Sequence, residues 1–592
     1  MFFMFSVNNI KNKKVFLISI VLALFVSVTG ISFFVFSKTM TLNYETIEIR
    51  DFYLKNYSNK KFIKTSLKNM DFYNKQNLVS HIQKNFSLFL KTNTELSSFI
   101  GEYATLYVEG FETLVNLKKN NVITSEDYGE INKLLADFKF ADIINKTNYL
   151  TLKYNSNDGV ANKKYFEGII FELAFNYELA RDYYLEAIKL NPHDIDYYAN
   201  LGGVYYKLYN FDKAIGIFEN GLNIPNLENR KYKLDEMELL YNLAKTYNTV
   251  GDFNKASATY TNLLIDSLEK NNDNYKWLSL YNLSMIEANY GNYNTAIDYL
   301  KYALNVATKN KNQLQIASSL NVLSKIQYKY GDYSRGVKNS LKAVKISKQI
   351  SAMPLMAESS YTTCLNYEYL GKVELAKTYC ARAIKINDTI AKTIGRPEYY
   401  MQNGNLYSFV GTMRDYNKAL QYYEQAYNIS NNFNLLILKS AALSGMSEFK
   451  NMLNDKDMAF KDLTDSNKII EDLGIKNKSC FLCQLGFLYW GKNDYNAAIE
   501  SYKQAITNAT TGDNKILISN ASSHLASVYS IIDNYGEALK YSELSLNTNK
   551  KIYRFDHHYI KYEEAQKNNI LQKIEENNNN SKSKQFIKQK NK

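Results

Sequence analysis

Two cysteines, Cys480 and Cys483, have the spacing of half a metal site or of a redox-active pair. Residues three apart on a helix share one face, so both thiols would lie on the same side of such a helix. A structural metal site needs further ligands, yet neither a second cysteine pair nor a histidine cluster lies nearby in the sequence. We therefore predict no metal ligands and no cofactor, with a metal or redox role for this pair as the alternative.

The five histidines offer no catalytic pattern. His557 and His558 are adjacent, so their side chains would point in different directions on a helix, and none of the five has the spacing found in zinc proteases. The sequence also lacks a glycine-rich phosphate loop, a nucleophile elbow and a kinase catalytic loop. We predict that the protein is not an enzyme, has no catalytic residues and takes no small-molecule substrate.

A small residue recurs about every 40 positions in the sequence. This recurrence indicates the kind of fold that positions the cysteine and histidine side chains. A near-constant period of this size is typical of stacked structural repeats, which present surfaces for binding rather than one enclosed core. The recurring residues are Ala180, Ala214, Ala256, Ala296, Gly336, Ala376, Ala419, Ala459, Ala498 and Ala538.

The clearest unit runs from Ser479 to about Gly512, and its small and large residues alternate at helical spacing. The unit resembles the tetratricopeptide repeat, a pair of antiparallel helices in which small residues let the two helix axes approach each other. The resemblance implies an all-α fold, a right-handed superhelical solenoid of helix-turn-helix repeats. The residues that carry it are Leu482, Leu485, Gly486, Tyr489, Tyr495, Ala498, Tyr502 and Ala505.

Proline and glycine positions support this division into units. The four prolines, Pro192, Pro225, Pro354 and Pro397, fall between proposed units, where they do not interrupt a helix. Glycines also recur at the proposed end of the first helix, where a left-handed backbone conformation is needed. These glycines are Gly251, Gly291, Gly331 and Gly371.

Within the repeat pattern, Cys364 and Cys380 lie on two helices of one unit that should pack together. We expect both to be buried as small apolar residues. A disulfide between them is the alternative if the repeats lie outside the cytoplasm.

The amino-terminal end contains an uncharged segment from Val15 to Phe36, which has the length needed to cross a bilayer. We interpret it as an uncleaved transmembrane helix, since the apolar core of a signal peptide is usually shorter; a cleaved signal peptide stays open. Lys11, Lys13 and Lys14 precede it, so we expect this end inside the cytoplasm and the repeats outside, on the periplasmic side in a bacterium.

These features divide the chain into six predicted segments. Residues 1–14 are a basic segment, 15–36 the transmembrane helix, and 37–160 a helical stalk or degenerate repeats. Residues 161–548 hold about ten repeats of the tetratricopeptide type, 549–575 a carboxyl-terminal capping helix, and 576–592 a disordered basic tail.

The net charge of +13 permits an anionic partner, but the lysines are scattered through the sequence. They do not form a stripe that alternates with aromatic residues, and we therefore expect no nucleic acid partner.

The resemblance implies that five positions of each first helix line a concave groove, and that asparagines there can hydrogen-bond a peptide backbone. Tyrosine suits such a groove because it offers a large contact area with few rotatable bonds. The groove residues predicted in this way are Asn200, Tyr241, Asn242, Lys245, Tyr281, Asn282, Asn321, Lys325, Tyr328 and Tyr361.

We therefore predict a membrane-anchored scaffold whose groove binds a protein or peptide of unknown identity. One alternative is a sensing or regulatory component of a bacterial signalling system that acts through a separate output protein. A second is an organelle import or chaperone receptor, which the absence of paired basic residues at the expected positions disfavours.

Overall fold

The computed structural model describes residue 106 and residues 109–136, 140–148, 157–174, 176–225, 233–394, 397–432, 434–476 and 478–590. All of them belong to the unit Tyr44–Lys592, whereas the unit Met1–Asn43 lies outside them. The predicted transmembrane helix at 15–36 and most of the predicted stalk therefore also lie outside the described residues. Within the described ranges, no helix combines the length and the apolar character needed to cross a membrane.

The fold is all-α, and ten consecutive helix pairs occupy the described part of residues 157–552. Helical residues 109–119 and the helices α1 (Ser125–Ala136) and α2 (Phe140–Asn148) precede the pairs, and α23 (His558–Lys590) follows them. The first five pairs are α3 (Asn157–Leu173) and α4 (Tyr177–Leu190), α5 (Ile195–Lys207) and α6 (Phe211–Leu222), α7 (Lys233–Thr249) and α8 (Phe253–Glu269), α9 (Asp273–Tyr290) and α10 (Tyr293–Lys309), and α11 (Gln313–Tyr330) and α12 (Tyr333–Gln349). The last five are α13 (Met353–Tyr369) and α14 (Val373–Ile394), α15 (Pro397–Phe409) and α16 (Tyr416–Asn432), α17 (Leu436–Met452) and α18 (Lys456–Asp472), α19 (Lys478–Gly491) and α20 (Tyr495–Thr511), and α21 (Lys515–Ile531) and α22 (Tyr535–Ile552).

Small and large residues fit together within each pair, as the repeat pattern predicts. A methyl group placed on Gly486 would meet the Tyr502 ring at 2.8 Å, and one on Gly202 would meet the Phe218 ring at 2.3 Å. The recurring alanines, such as Ala498, are fully buried. The two helices of a pair can approach closely only because one of them carries a small residue opposite an aromatic ring on the other.

Many helices end at a left-handed residue, and an Asn or Asp cap often follows it. Gly291 has φ of +85°, and the next residue, Asn292, donates its N–H to the carbonyl of Glu287 at 2.8 Å. A residue with a side chain is strained in this conformation, which explains the recurring glycine. Between pairs the same turn uses non-glycine residues such as Asn271, Lys311 and Ser351, all with positive φ.

Prolines begin helices as well as lying between them. Pro397 is the first residue of α15, and Pro354 lies in the first turn of α13. The sequence pattern placed both outside the helices, but the first turn of a helix tolerates proline because its N–H has no partner within the helix.

Repeats that are distant in sequence contact each other through their turns. Lys476 donates its backbone N–H to the carbonyl of Val250 at 2.9 Å, and its ammonium lies 3.4 Å from the Asp252 carboxylate, 224 residues away. Around this contact, Phe211, Val250 and Leu473 form one buried apolar cluster. The turn within the third pair therefore packs against the segment that follows the eighth pair.

The same separation recurs at the next two turns. Lys515 donates to the side-chain oxygen of Asn292 at 2.7 Å across 223 residues, and Ile516 and Ile552 lie over Gly291. Tyr333 and His558, 225 residues apart, form a hydrogen bond of 3.1 Å, and the Arg554 N–H donates to the carbonyl of Tyr330 at 3.2 Å. A repeat of nearly constant length brings successive turns to equivalent partners.

The last helix, α23, is longer than predicted. It runs from His558 to Lys590, so the predicted boundary at 575 falls inside one continuous helix that includes most of the segment expected to be a disordered tail. Its first half packs on the tenth pair, where Ile570 is buried in the same apolar cluster as Leu525.

Candidate functional site: the first-helix surface

The predicted groove residues all lie on the first helices of consecutive pairs, and we call the side that these helices present the first-helix surface. The structure places them on five helices. Asn200 lies on α5, Tyr241, Asn242 and Lys245 on α7, Tyr281 and Asn282 on α9, Asn321, Lys325 and Tyr328 on α11, and Tyr361 on α13.

Three of these residues come together where α11 and α13 pack side by side. The Lys325 ammonium lies 2.8 Å from the Glu358 carboxylate, and both side chains are 34% exposed. Tyr328 and Tyr361 pack against one apolar cluster, which contains Cys364. We call Lys325, Tyr328, Lys329, Glu358 and Tyr361 the Lys325 cluster; it joins charged and aromatic groups from two consecutive pairs.

Burial and neighbouring charges shift the pKa values of several groups in the Lys325 cluster. The attraction of Glu358 raises the pKa of Lys325, against the effect of burial. Lys329 is exposed to solvent, yet burial by the surrounding protein and the positive charge of Lys325 lower its pKa. Burial raises the pKa of Tyr361. Lys329 is therefore accessible to solvent, while the surrounding protein and the charge of Lys325 disfavour its protonated form.

Other predicted residues are engaged within the protein. Asn200 donates to the Tyr165 hydroxyl at 2.9 Å, and Asn282 donates to the carbonyl of Leu278 at 2.8 Å in its own helix. Asn321 is buried, and the Thr362 hydroxyl donates to it at 3.4 Å. The prediction that Asn321 lines an accessible groove is therefore corrected: close packing of α11 against α13 covers its side chain.

The predicted tyrosines outside the Lys325 cluster take part in separate ring contacts. Tyr241 lies 6.4 Å from Tyr275, centroid to centroid, and Tyr281 lies 4.9 Å from Trp277. The Lys245 ammonium lies 5.0 Å above the Tyr206 ring. Asn242 is half-buried on the same helix. These residues belong to the first-helix surface, but the structure does not bring them into the Lys325 cluster.

Comparison with known proteins identifies the repeat. The family model described as tetratricopeptide repeat matches residues 481–510, which span most of α19 and all but the last residue of α20. Residues 481–510 are a tetratricopeptide repeat. Several other helix pairs show the same small-to-large packing as the matched unit, for example at Gly202 and Phe218.

Solved structures with similar repeats include a Rap protein complexed with competence and sporulation factor, at 15% identity and a TM-score of 0.41, over 60% of this chain and 98% of that one. The apo form of RapI has 15% identity and a TM-score of 0.38, over 46% and 98%. A tetratricopeptide repeat protein from Parabacteroides merdae ATCC 43184 has 17% identity and a TM-score of 0.34, over 47% and 98%. No curated protein matches the chain significantly.

Sequence reasoning missed two members of the Lys325 cluster, Glu358 and Lys329. Both occupy positions of the tetratricopeptide repeat that the resemblance assigns to the groove, near the start and the end of a first helix. The positional pattern could therefore have found them. The ion pair itself could not be predicted, because it depends on how α11 and α13 pack.

The cysteines of the repeats fall into two different environments. Cys364 and Cys380 form a disulfide between the two helices of one repeat, with their Cα atoms 5.2 Å apart. They occupy two facing positions at which other repeats have a small residue on one helix and a large residue on the other. Cys480 and Cys483 are free, and burial raises the pKa of both thiols, that of Cys483 to about 12. Metal binding and thiol exchange both use the thiolate, which this environment disfavours.

Within the described ranges, no group of three His, Cys, Asp or Glu residues is arranged to hold a metal ion. His524 lies on the first helix α21, and its ring stacks 5.6 Å from that of Tyr502. Burial lowers the pKa of His524, so the ring is neutral near pH 7.

Proposed function

We propose that the protein is a scaffold that binds a protein or peptide segment on the first-helix surface at the Lys325 cluster. The observation that carries this proposal is the accessible pair of Lys325 and Glu358, which joins two consecutive repeats beside Tyr328 and Tyr361. A partner can exchange hydrogen bonds with the charged pair and pack apolar groups against the tyrosine rings.

The proposal extends to location. The segment at 15–36 would anchor the chain in a membrane, with the repeats on the extracytoplasmic side. The disulfide between Cys364 and Cys380 supports this side, because disulfides persist in oxidising compartments and are rare in the cytosol. A reporter fused after Lys592 tests the orientation: activity of a cytoplasm-only reporter would contradict it.

Site-specific photocrosslinking tests the binding role directly. A photoreactive phenylalanine analogue replaces Tyr361 in the full chain, and the matched control replaces Tyr302, a tyrosine on second helix α10 that is 65% exposed. We expect a crosslinked partner from position 361 and none from position 302. The charge reversal Lys325→Glu should lower the yield at 361 at least fivefold, because it places two carboxylates together.

Equal yields from positions 361 and 302, or a yield at 361 that Lys325→Glu leaves unchanged, would contradict a binding role for the Lys325 cluster. The reversal Lys301→Glu is the control for charge, since Lys301 pairs only with Asp298 of its own helix among the described contacts and is 65% exposed. Circular dichroism of each variant checks that the helices are intact.

A further inference from the structure

One second helix differs from all the others in its charge. Helix α12 contains five basic residues and no acidic one, whereas each of the other nine second helices contains at least one aspartate or glutamate. The helix therefore carries a net charge of +5 in 17 residues. Its basic residues, which we call the basic row, are Arg335, Lys338, Lys342, Lys345 and Lys348.

The basic row lies on the solvent-facing side of α12. All five residues are exposed, and successive members are three or four positions apart, so they follow one side of the helix. The opposite side, with Gly336, Ser340 and Ala343, is buried in the array. From Arg335 to Lys348 the row is about 20 Å long, at a rise of ~1.5 Å per residue.

Acidic side chains of the described residues neutralise only one end of the basic row. Arg335 pairs with Asp332 at the start of the helix, at 3.1 Å. Among the described contacts, no ion pair involves the four lysines of the row. Like charges three and four residues apart on a helix repel one another. An anionic partner that lies along the row removes this repulsion and adds an attraction.

The basic surface continues onto the neighbouring second helix. Val337 of α12 packs against the apolar cluster that contains Cys380 of α14, so these two helices are neighbours. Arg382 and Lys385 are exposed on α14. The two acidic residues of α14 already interact with other side chains of the protein, at 3.1 and 2.9 Å. The side of the array formed by α12 and α14 is therefore strongly basic.

We propose that the basic row of α12 binds the surface of a bilayer that contains anionic phospholipids. Phosphate headgroups carry the complementary charge, and a row of this length contacts several headgroups at once. A lysine has a compact charge on a flexible stem, so its ammonium follows headgroups that move within the bilayer. Such a partner needs an exposed row of charges and no preformed pocket.

Two observations favour a lipid surface over a nucleic acid. No aromatic residue lies between Arg335 and Lys348, so the row offers no ring on which a base could stack. The anchor proposed at 15–36 would hold the chain beside a bilayer, where a weak attraction suffices because the surface is always near. The inference rests on that part of the proposed function. It does not depend on the Lys325 cluster, which lies on first helices.

Lysine acetylation of the full chain on vesicles tests the contact. The chain is transferred from detergent to vesicles of phosphatidylcholine, either alone or with one-third phosphatidylglycerol, and mass spectrometry measures the acetylation rate of each lysine. We expect the lysines of the basic row to react at least threefold more slowly on the anionic vesicles, and high salt should remove the difference. The control is Lys540, 63% exposed beside Glu537 on α22, which should react equally on both.

Charge reversal separates the basic row from other exposed lysines. Lys338→Glu and Lys342→Glu together lower the net charge of α12 from +5 to +1, and should abolish the protection of Lys345 on anionic vesicles. The matched control reverses Lys550 and Lys551, two exposed lysines of α22, and should preserve that protection. Circular dichroism checks that the helices of both variants are intact.

Equal acetylation of the basic row on the two kinds of vesicle, or equal slowing at Lys540, would overturn the proposal. If duplex DNA without vesicles slows the reaction as much at the same phosphate concentration, the choice of a lipid partner is wrong. Failure of the proposed anchor is a separate result: the chain then does not float with phosphatidylcholine vesicles, while protection of the row on anionic vesicles is still measured.

Discussion

Two contacts between distant repeats join residues at nearly the same separation in sequence, 224 and 225 residues, but they differ in chemistry. The contact at Val250 is apolar, with Leu473 buried against it and one exposed ion pair at its edge. The contact at Gly331 contains titratable groups, including the buried His557, whose ring stacks 4.2 Å from that of Tyr553. The repeat length determines which distant turns are in contact. The residues at each contact determine how its stability depends on pH.

Gly331→Ala should have the largest effect on this comparison. Gly331 has φ of +96°, and a methyl group there would meet the His557 ring at 2.6 Å. We expect the free energy of opening this contact to fall by ~2–4 kcal/mol, from backbone strain and crowding together. Hydrogen exchange of residues 553–558 measures it. The matched control, Gly371→Ala, has strain but an empty neighbourhood, and should cost only ~1 kcal/mol.

If the free energy of opening falls equally in the two glycine variants, backbone strain alone explains the effect, and His557 does not cover the turn at Gly331.

Leu473→Ala should have the next largest effect, at the apolar contact. Loss of most of a buried leucine should destabilise that contact by ~2–3 kcal/mol. We expect faster hydrogen exchange at residues 473–476 and 250–252, with no change at residues 553–558. The effect should be the same at pH 7 and pH 5, because no histidine lies among the residues of this apolar cluster. Faster exchange at both contacts would contradict their independence.

Acid should weaken the contact at Gly331 and spare the contact at Val250. Burial and the neighbouring His558 lower the pKa of His557 to about 3, so the ring is neutral while the contact is closed. When the contact opens, the pKa returns to ~6.5 and the open state binds a proton that the closed state excludes. The free energy of opening this contact is therefore highest above pH ~6.5. It falls as pH decreases, by at most ~2 kcal/mol at pH 5.

Hydrogen exchange at pH 7 and pH 5, corrected for the intrinsic rates, measures this difference between residues 553–558 and 473–476. His557→Gln should remove most of the pH dependence at residues 553–558. If protection from exchange falls equally at both contacts in acid, His557 is not the responsible group.

The sequence allowed the helix pairs to be predicted because their packing is local. Gly486 and Tyr502 lie in one repeat, and their spacing alone predicts two helices that approach closely. The contacts between Val250 and Leu473 could not be predicted in the same way. They depend on a small rotation from each repeat to the next, which accumulates over five or six repeats and leaves no mark in any one of them.

The candidate site shows the same limit. Lys325, Tyr328 and Tyr361 lie on first helices, as the repeat pattern predicts, but the burial of Asn321 and the pairing of Lys325 with Glu358 depend on the packing of α11 against α13. The disulfide between Cys364 and Cys380 was an alternative in the sequence, and close contact between the helices of their repeat decides it. The transmembrane helix at 15–36 and the right-handed path of the solenoid stay predictions.

Zero-length crosslinking tests the central claim, that turns about 224 residues apart lie in contact. A carbodiimide couples amines to carboxylates that already touch, and Lys476 and Asp252 form such a pair at 3.4 Å in the unmodified chain. We predict a crosslinked peptide that joins these two residues, together with the nearby pair Lys492 and Asp457 at 2.8 Å as the internal control. Recovery of the control crosslink without the one between Lys476 and Asp252 would contradict the contact between distant repeats.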